Sequence, residues 1–190
     1  MNGLIKSLLA LTPVFCSLPL LFLGFDIASD NLGANPIQAL HIRLGDWSLR
    51  FLCITLAITP IQAITRWRGM TECRQLFGLY TFFYASLHVL VYLFVDHNFM
   101  WSLIITDIIE SPYIWLGVLA YIIVFLLGLT SSKFAMKTLG KNWKKLHRWI
   151  YLASVASVIH YFWQLKGNLT EPLVYAIIIV LLLSFRLLAS

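Results

Sequence analysis

Charge is scarce in this sequence: only 12% of its 190 residues are Asp, Glu, Lys or Arg, about half the share found in an ordinary soluble domain. Hydrophobic residues make up 60% and aromatic residues 15%, which excludes a water-soluble enzyme. Cysteine is scarce too. There are three, an odd number, with Cys16 and Cys53 inside apolar runs, so no disulfide framework is expected. No Cys-x-x-Cys-His is present, which excludes covalent haem attachment, and no group of His, Cys and carboxylates has the spacing of a zinc site. No internal repeat or low-complexity segment stands out. The formal net charge of +6 would suggest nucleic acid in a soluble protein. In so apolar a chain the placement of the charges carries the information, and no nucleic-acid partner is expected.

What the sequence does have is six long apolar stretches, over residues 7–25, 47–64, 76–95, 112–130, 149–165 and 173–189. Each is near the length of about 20 residues that crosses a bilayer as a helix. Hydrocarbon leaves only helices or closed barrels as options, and continuous apolar runs without alternation select helices. The expected fold is an all-α integral membrane protein, one six-helix bundle over residues 1–190 with no room for a folded domain outside the membrane. Lys6 before the first stretch gives it the look of a signal peptide. No small-residue cleavage site follows, so it is read as a retained helix.

The connections differ in sign. Asp26, Asp30 and Asp46 outweigh Arg43 in the first, and Arg66, Arg68 and Arg74 outweigh Glu72 in the second. The third holds Asp96, Asp107 and Glu110 with no base, and the fourth holds Lys133, Lys137, Lys141, Lys144, Lys145 and Arg148 with no acid. The positive-inside rule then puts both termini in the cytoplasm. The basic fourth connection is read first as a topology signal, with anionic lipid or an acidic partner as its other uses. Pro13, Pro19 and Pro60 imply kinks, and Trp47, Trp101, Trp115, Trp149 and Trp163 suit an interfacial belt.

Ionisable groups inside a membrane are costly and mark functional sites by default. Tyrosine apart, His88 is the one titratable side chain in the third stretch, and His160 is the one in the interior of the fifth. Counted from the cytoplasmic ends of their helices, they lie about 18 Å and about 17 Å along the axis, at the same depth. A lone histidine there is equally well read as a neutral ring bonded to a neighbouring helix. Two at one depth fit a bis-histidine haem iron. Tyr84, Tyr92, Tyr161, Phe162 and Trp163 would wall such a site, although ordinary packing uses the same residues. His147 lies thirteen residues before His160, near the cytoplasmic face. That spacing turns an ideal helix through about 220°, so the two rings share a face only if the helix bends or His147 lies outside it. Arg74 and Gln75 stand at its level on the third stretch, so one haem and two are both compatible with the pattern. His41 and His97 fall in the outer connections and are read as exposed loop residues, His97 within reach of a periplasmic partner.

Three passages carry a family resemblance: NPIQALHIRLGDWSLRFLCITLAITP (35–60), CRQLFGLYTFFYASLHVLVYL (73–93) and LGKNWKKLHRWIYLASVASVIHYFW (139–163). With their LG-x-x-W-x-x-LH…HY-x-W pattern they resemble, over nearly the whole chain, the MsrQ family (formerly YedZ), haem-binding membrane subunits of the bacterial protein-methionine-sulfoxide reductase system. The resemblance extends more distantly to the ferric-reductase and NADPH-oxidase transmembrane domain, whose haems lie between its third and fifth helices. It implies haem b, one or two, with His88, His147 and His160 as haem-associated residues, and a place in the bacterial inner membrane. It also implies electrons arriving from a cytoplasmic flavin reductase or membrane quinol, with FMN involved. They would leave to a periplasmic molybdopterin reductase, MsrP, which repairs oxidised methionines. One departure is visible, Arg74 followed by Gln75 where the family commonly has two basic residues.

The expectation is therefore an electron-transfer subunit, not itself the sulfoxide-reducing enzyme. His88 and His160 would hold an outer-side haem. His147, with Arg74, Gln75 and Arg148, would form a cytoplasmic-side haem or flavin site whose bases suit propionates or a phosphate. The alternatives are a self-contained ferric-reductase-like or quinol-oxidising haem protein, and a transporter using the histidines as proton shuttles. The transporter would prefer mid-membrane acids, and no Asp or Glu lies centrally in any of the six stretches.

Overall fold

The computed structural model describes residues 2–66, 70–165, 167 and 169–188, and among these there is no strand. The chain divides into two compact units, Met1–Asn98 and Phe99–Ser190. Arg68 and Ala189, which entered the charge count and the sixth stretch, lie outside the described residues.

The first unit holds α1 (Asn2–Ala28), α2 (Pro36–Thr65) and α3 (Met70–Leu90), with α3 running on into a π-helical turn at Val91–Asp96. Helix α2 begins well before the apolar run at Trp47. Asn35 caps it, its side-chain oxygen accepting from the Gln38 amide at 3.1 Å, and Pro36 occupies the first turn, where a missing N–H costs nothing. Arg43 and Asp46, expected in a connection, are therefore helical, and each has a partner: Arg43 pairs with Asp26 and Asp46 with Arg50. Asp46 is buried, so α2 carries an acid that the apolar stretches had left outside the membrane. At the other end Arg66 closes α2 in a left-handed conformation, φ 55°.

Aromatic packing holds α2 to α3. Phe51 meets Phe77, Tyr80 and Tyr84 with ring centroids 6.2, 5.6 and 5.3 Å away, distances at which offset rings attract. Tyr84 is almost wholly buried, and its hydroxyl donates 2.7 Å to the Cys16 carbonyl, tying α1 to the pair.

The second unit starts with α4 (Trp101–Glu110), a short helix absent from the six-stretch reading. One residue, Ser111, separates it from α5 (Pro112–Leu129), which again begins on proline. Two seven-residue helices follow, α6 (Lys133–Leu139) and α7 (Lys141–His147), then α8 (Ile150–Gln164) and α9 (Thr170–Leu188). Gly140, at φ 50°, makes the sharp turn between α6 and α7, a conformation glycine adopts without strain. Helix α8 turns Ala153, Ser154 and Ala156 inward, all nearly inaccessible; small side chains are what allow two helix backbones in a membrane to approach closely. Tyr161 donates to Glu171 at 2.9 Å and Arg186 to Tyr151 at 2.8 Å, which fastens α9 to α8.

Four described segments are long and apolar enough to cross a bilayer: Ala10–Ala28, Pro36–Thr65, Met70–Asp96 and Pro112–Leu129. They cover the first four predicted stretches, and α8 and α9 stand where the fifth and sixth were placed. Large apolar side chains such as Leu21, Phe22, Phe25, Val180 and Leu181 are mostly exposed, far beyond what a soluble surface carries. The molecule is a multi-pass membrane protein.

Candidate functional site

The interior histidines are mounted in the same way. On α3, His88 Nδ1 donates to the backbone carbonyl of His41 on α2 at 3.0 Å, a contact between residues 47 apart in sequence. On α8, His160 Nδ1 donates to the backbone carbonyl of Tyr113 on α5 at 2.8 Å, again between residues 47 apart. A carbonyl can only accept, so each Nδ1 carries the hydrogen and each neutral ring keeps its lone pair on Nε2. Four residues after each carbonyl comes a glycine on whose Cα side the imidazole lies. A Cβ at Gly45 would stand 3.4 Å from His88 Cε1 and Nδ1, and one at Gly117 would stand 2.8 Å from His160 Cε1 and 2.9 Å from Nδ1.

One offset therefore separates His41 from Tyr113, Gly45 from Gly117 and His88 from His160. The chain contains a repeat after all. Its trace in sequence is short: His41-Ile42-Arg43-Leu44-Gly45 against Tyr113-Ile114-Trp115-Leu116-Gly117, an aromatic-Ile-x-Leu-Gly pattern that repeats at a fixed distance before each histidine. That pattern was the available signal for the two glycines, which reading the histidines alone missed.

His41 and His97 are not exposed loop residues. Helix α2 starts early enough to include His41, and the π turn brings Asp96 and His97 back toward it; the two side chains are 12% and 13% accessible. The His41 ring lies edge-on to His88 with centroids 5.2 Å apart, and its Nε2 is 3.4 Å from Asp96 Oδ2. His97 Nδ1 donates to the Tyr92 carbonyl at 3.1 Å, and its ring packs on Tyr92 at 4.4 Å.

His147 is built differently. It ends α7 rather than continuing α8, so it does not share a helix with His160. Its ring stacks on Trp143, centroids 4.0 Å apart, and Trp143 Nε1 donates to the Thr130 carbonyl at 2.9 Å. His147 Nε2 lies 3.1 Å from Thr130 Oγ1. The Thr130 hydroxyl also reaches the Leu126 carbonyl at 2.7 Å; with its hydrogen there, Oγ1 accepts and His147 donates through Nε2. In that arrangement the His147 lone pair sits on Nδ1, the reverse of His88 and His160. Arg148 is exposed at the junction of α7 and α8, while Arg74 and Gln75 lie in the early turns of α3 in the other unit.

The family model described as ferric reductase like transmembrane component matches residues 44–158, from just before Gly45 to just before His160. The protein-methionine-sulfoxide reductase heme-binding subunit MsrQ of Xanthomonas campestris pv. campestris is 42% identical over 83% of this chain and 72% of its own. That of Polaromonas naphthalenivorans is 41% identical over 90% and 80%, and that of Rhodospirillum rubrum 41% over 92% and 84%. The chain belongs to the MsrQ family. No solved structure matches it.

MsrQ proteins are named for haem, and the donors present here suit that group. Two neutral imidazoles have the tautomer that offers Nε2 to iron, and each second nitrogen is held by a backbone carbonyl, the usual outer-shell support of a metal-bound histidine. Among the described residues no three His, Cys, Asp or Glu side chains cluster as a bare metal-ion site.

Proposed function

We propose that this protein is the haem b subunit that relays electrons across the bacterial inner membrane to a periplasmic molybdopterin methionine-sulfoxide reductase of the MsrP type, with His88 and His160 as the axial pair. The observation that carries the reading is the twofold mount of His88 and His160, the same tautomer fixed in each by a backbone carbonyl of the neighbouring helix. Haem, when bound, supplies a one-electron couple. The rest is done by the chain. The carbonyls of His41 and Tyr113 hold the rings in orientation and, by drawing on Nδ1–H, raise the basicity of Nε2. The apolar helix faces keep water away from the ligands. Reduction of the sulfoxide itself belongs to the partner, in keeping with the relatives' description as one subunit of a reductase.

The same reading takes residues 1–190 as one domain of six membrane-crossing helices with both termini in the cytoplasm. The exposed bases of α6 and α7 and the acids of the third connection support that orientation. The reversed tautomer of His147 favours a single haem on His88 and His160. His147, Arg74, Gln75 and Arg148 then serve as cytoplasmic-side contacts for a propionate or an FMN phosphate, with quinol or a flavin reductase as donor; a second haem would need His147 to ligate through Nδ1 or turn its ring.

Vesicles carrying the purified protein test the relay. With reduced flavin sealed inside, absorbance of the reduced protein should appear and should fall when the soluble sulfoxide reductase and methionine sulfoxide are added outside. Sulfoxide reduction at the same rate in empty vesicles would refute the relay, and equal turnover of ferric chelates without any partner would favour the self-contained ferric reductase.

A further inference from the structure

The repeated mount is unequal in its two copies. In the first, a methyl group on Gly45 would meet the His88 ring at 3.4 Å, ordinary van der Waals contact. In the second, a methyl group on Gly117 would lie 2.8, 2.9 and 3.3 Å from Cε1, Nδ1 and Nε2 of His160, so most of that ring's edge already fills the place of the missing side chain. Helix α8, which packs on α5, turns the small residues Ala153, Ser154 and Ala156 inward. The His160 ring lies along one turn of α5, with its Nδ1 on the Tyr113 carbonyl at 2.8 Å and its edge in the space beside Gly117, four residues on. The residues supplying the carbonyls differ as well: His41 in the first copy has its own ring on His88 and its Nε2 near Asp96, whereas Tyr113 in the second copy sets a phenol ring 5.8 Å from His160.

We propose that Gly117 is a positioning residue for the ligand His160, fixing the plane of its imidazole, and that Gly45 has no such part for His88, whose ring is held by the His41 carbonyl and ring instead. The inference rests on the assignment of His88 and His160 as ligands. It adds that the two are asymmetric: one ring is locked by backbone and the other tolerates a methyl group beside it. The orientation of axial rings shows in the g-anisotropy of low-spin ferric haem, and a ligand held off its site shows as a high-spin signal, so the two glycines differ in a spectroscopic readout that stability alone does not set.

The test compares Gly117→Ala and Gly45→Ala in the full-length, haem-loaded protein by electron paramagnetic resonance and visible absorbance, with His160→Ala alongside. Gly117→Ala should lose at least half of the low-spin signal or shift its g-values, while Gly45→Ala should keep the wild-type spectrum. Gly117→Ala with unchanged g-values, in a protein whose His160→Ala variant loses the low-spin signal, would overturn the positioning role and leave the ligand assignment standing. An unchanged spectrum in His160→Ala would overturn the assignment itself. Misfolding is separated by a double variant, Gly117→Ala with His160→Gly, supplied with imidazole. A free ring can settle clear of the new methyl group, so recovery of the low-spin spectrum is expected, and failure to recover it where His160→Gly alone does would show that Gly117 acts on the fold rather than on the ring.

Discussion

Tyr84 shows how a single side chain joins packing to the candidate site. It lies one helical turn before His88, its ring packs on Phe51, and its hydroxyl reaches the Cys16 carbonyl. Replacing it by phenylalanine keeps the aromatic contact and removes one hydrogen bond. Such bonds in membrane proteins contribute about 0.6 kcal/mol on average and up to about 1.7, so Tyr84→Phe should lower thermal stability in detergent by roughly 1 kcal/mol and leave the haem spectrum unchanged. A changed spectrum would mean that α1 helps to place His88. His88 and His160 were legible in the sequence because little else in the membrane can titrate. Gly45 and Gly117 were not, since a glycine matters there only because a ring from a distant helix rests on it. His41 was misplaced for a local reason: the apolar run begins at Trp47, but the cap at Asn35 and the pairing of Arg43 with Asp26 extend the helix through charged residues.

At the scale of elements, apolar runs located four crossing helices well, because hydrocarbon requires both length and hydrophobicity at once. They did not reveal α4, whose ten residues span about 15 Å, too short to cross a bilayer, and whose Trp101, Ile105 and Ile109 are exposed. Nor did they show that α7 breaks from α8 at His147, which removes the question of whether His147 and His160 share a face. Helix α8 packs on α5 and turns small residues inward, and their part in that packing can be measured. Ala153 is fully buried. Ala153→Leu forces extra volume between the two helices, at a cost of about 1–3 kcal/mol for overpacking. It should also lengthen the contact from His160 to the Tyr113 carbonyl, so the variant should unfold at lower temperature and retain less haem than wild type. Unaltered stability and haem content would mean that the close approach of α5 and α8 is not what seats the ring.

For the whole molecule, scarcity of charge foretold a membrane protein, and the signs of its connections support one orientation. The repeat went unread because only four positions, ending at each glycine, keep a shared pattern, while the later sequence has diverged around the histidine. In the proposed account two copies of one helix-pair device supply the two ligands, and partners on either side give and take the electrons. The most direct test of that claim is the visible spectrum of the reduced and oxidised protein with His88→Ala, His160→Ala and His147→Ala measured beside wild type. The account predicts a bis-histidine low-spin haem in wild type, its loss in both His88→Ala and His160→Ala, and its survival in His147→Ala. A normal low-spin spectrum in either of the first two variants, or its loss in the third alone, would contradict it.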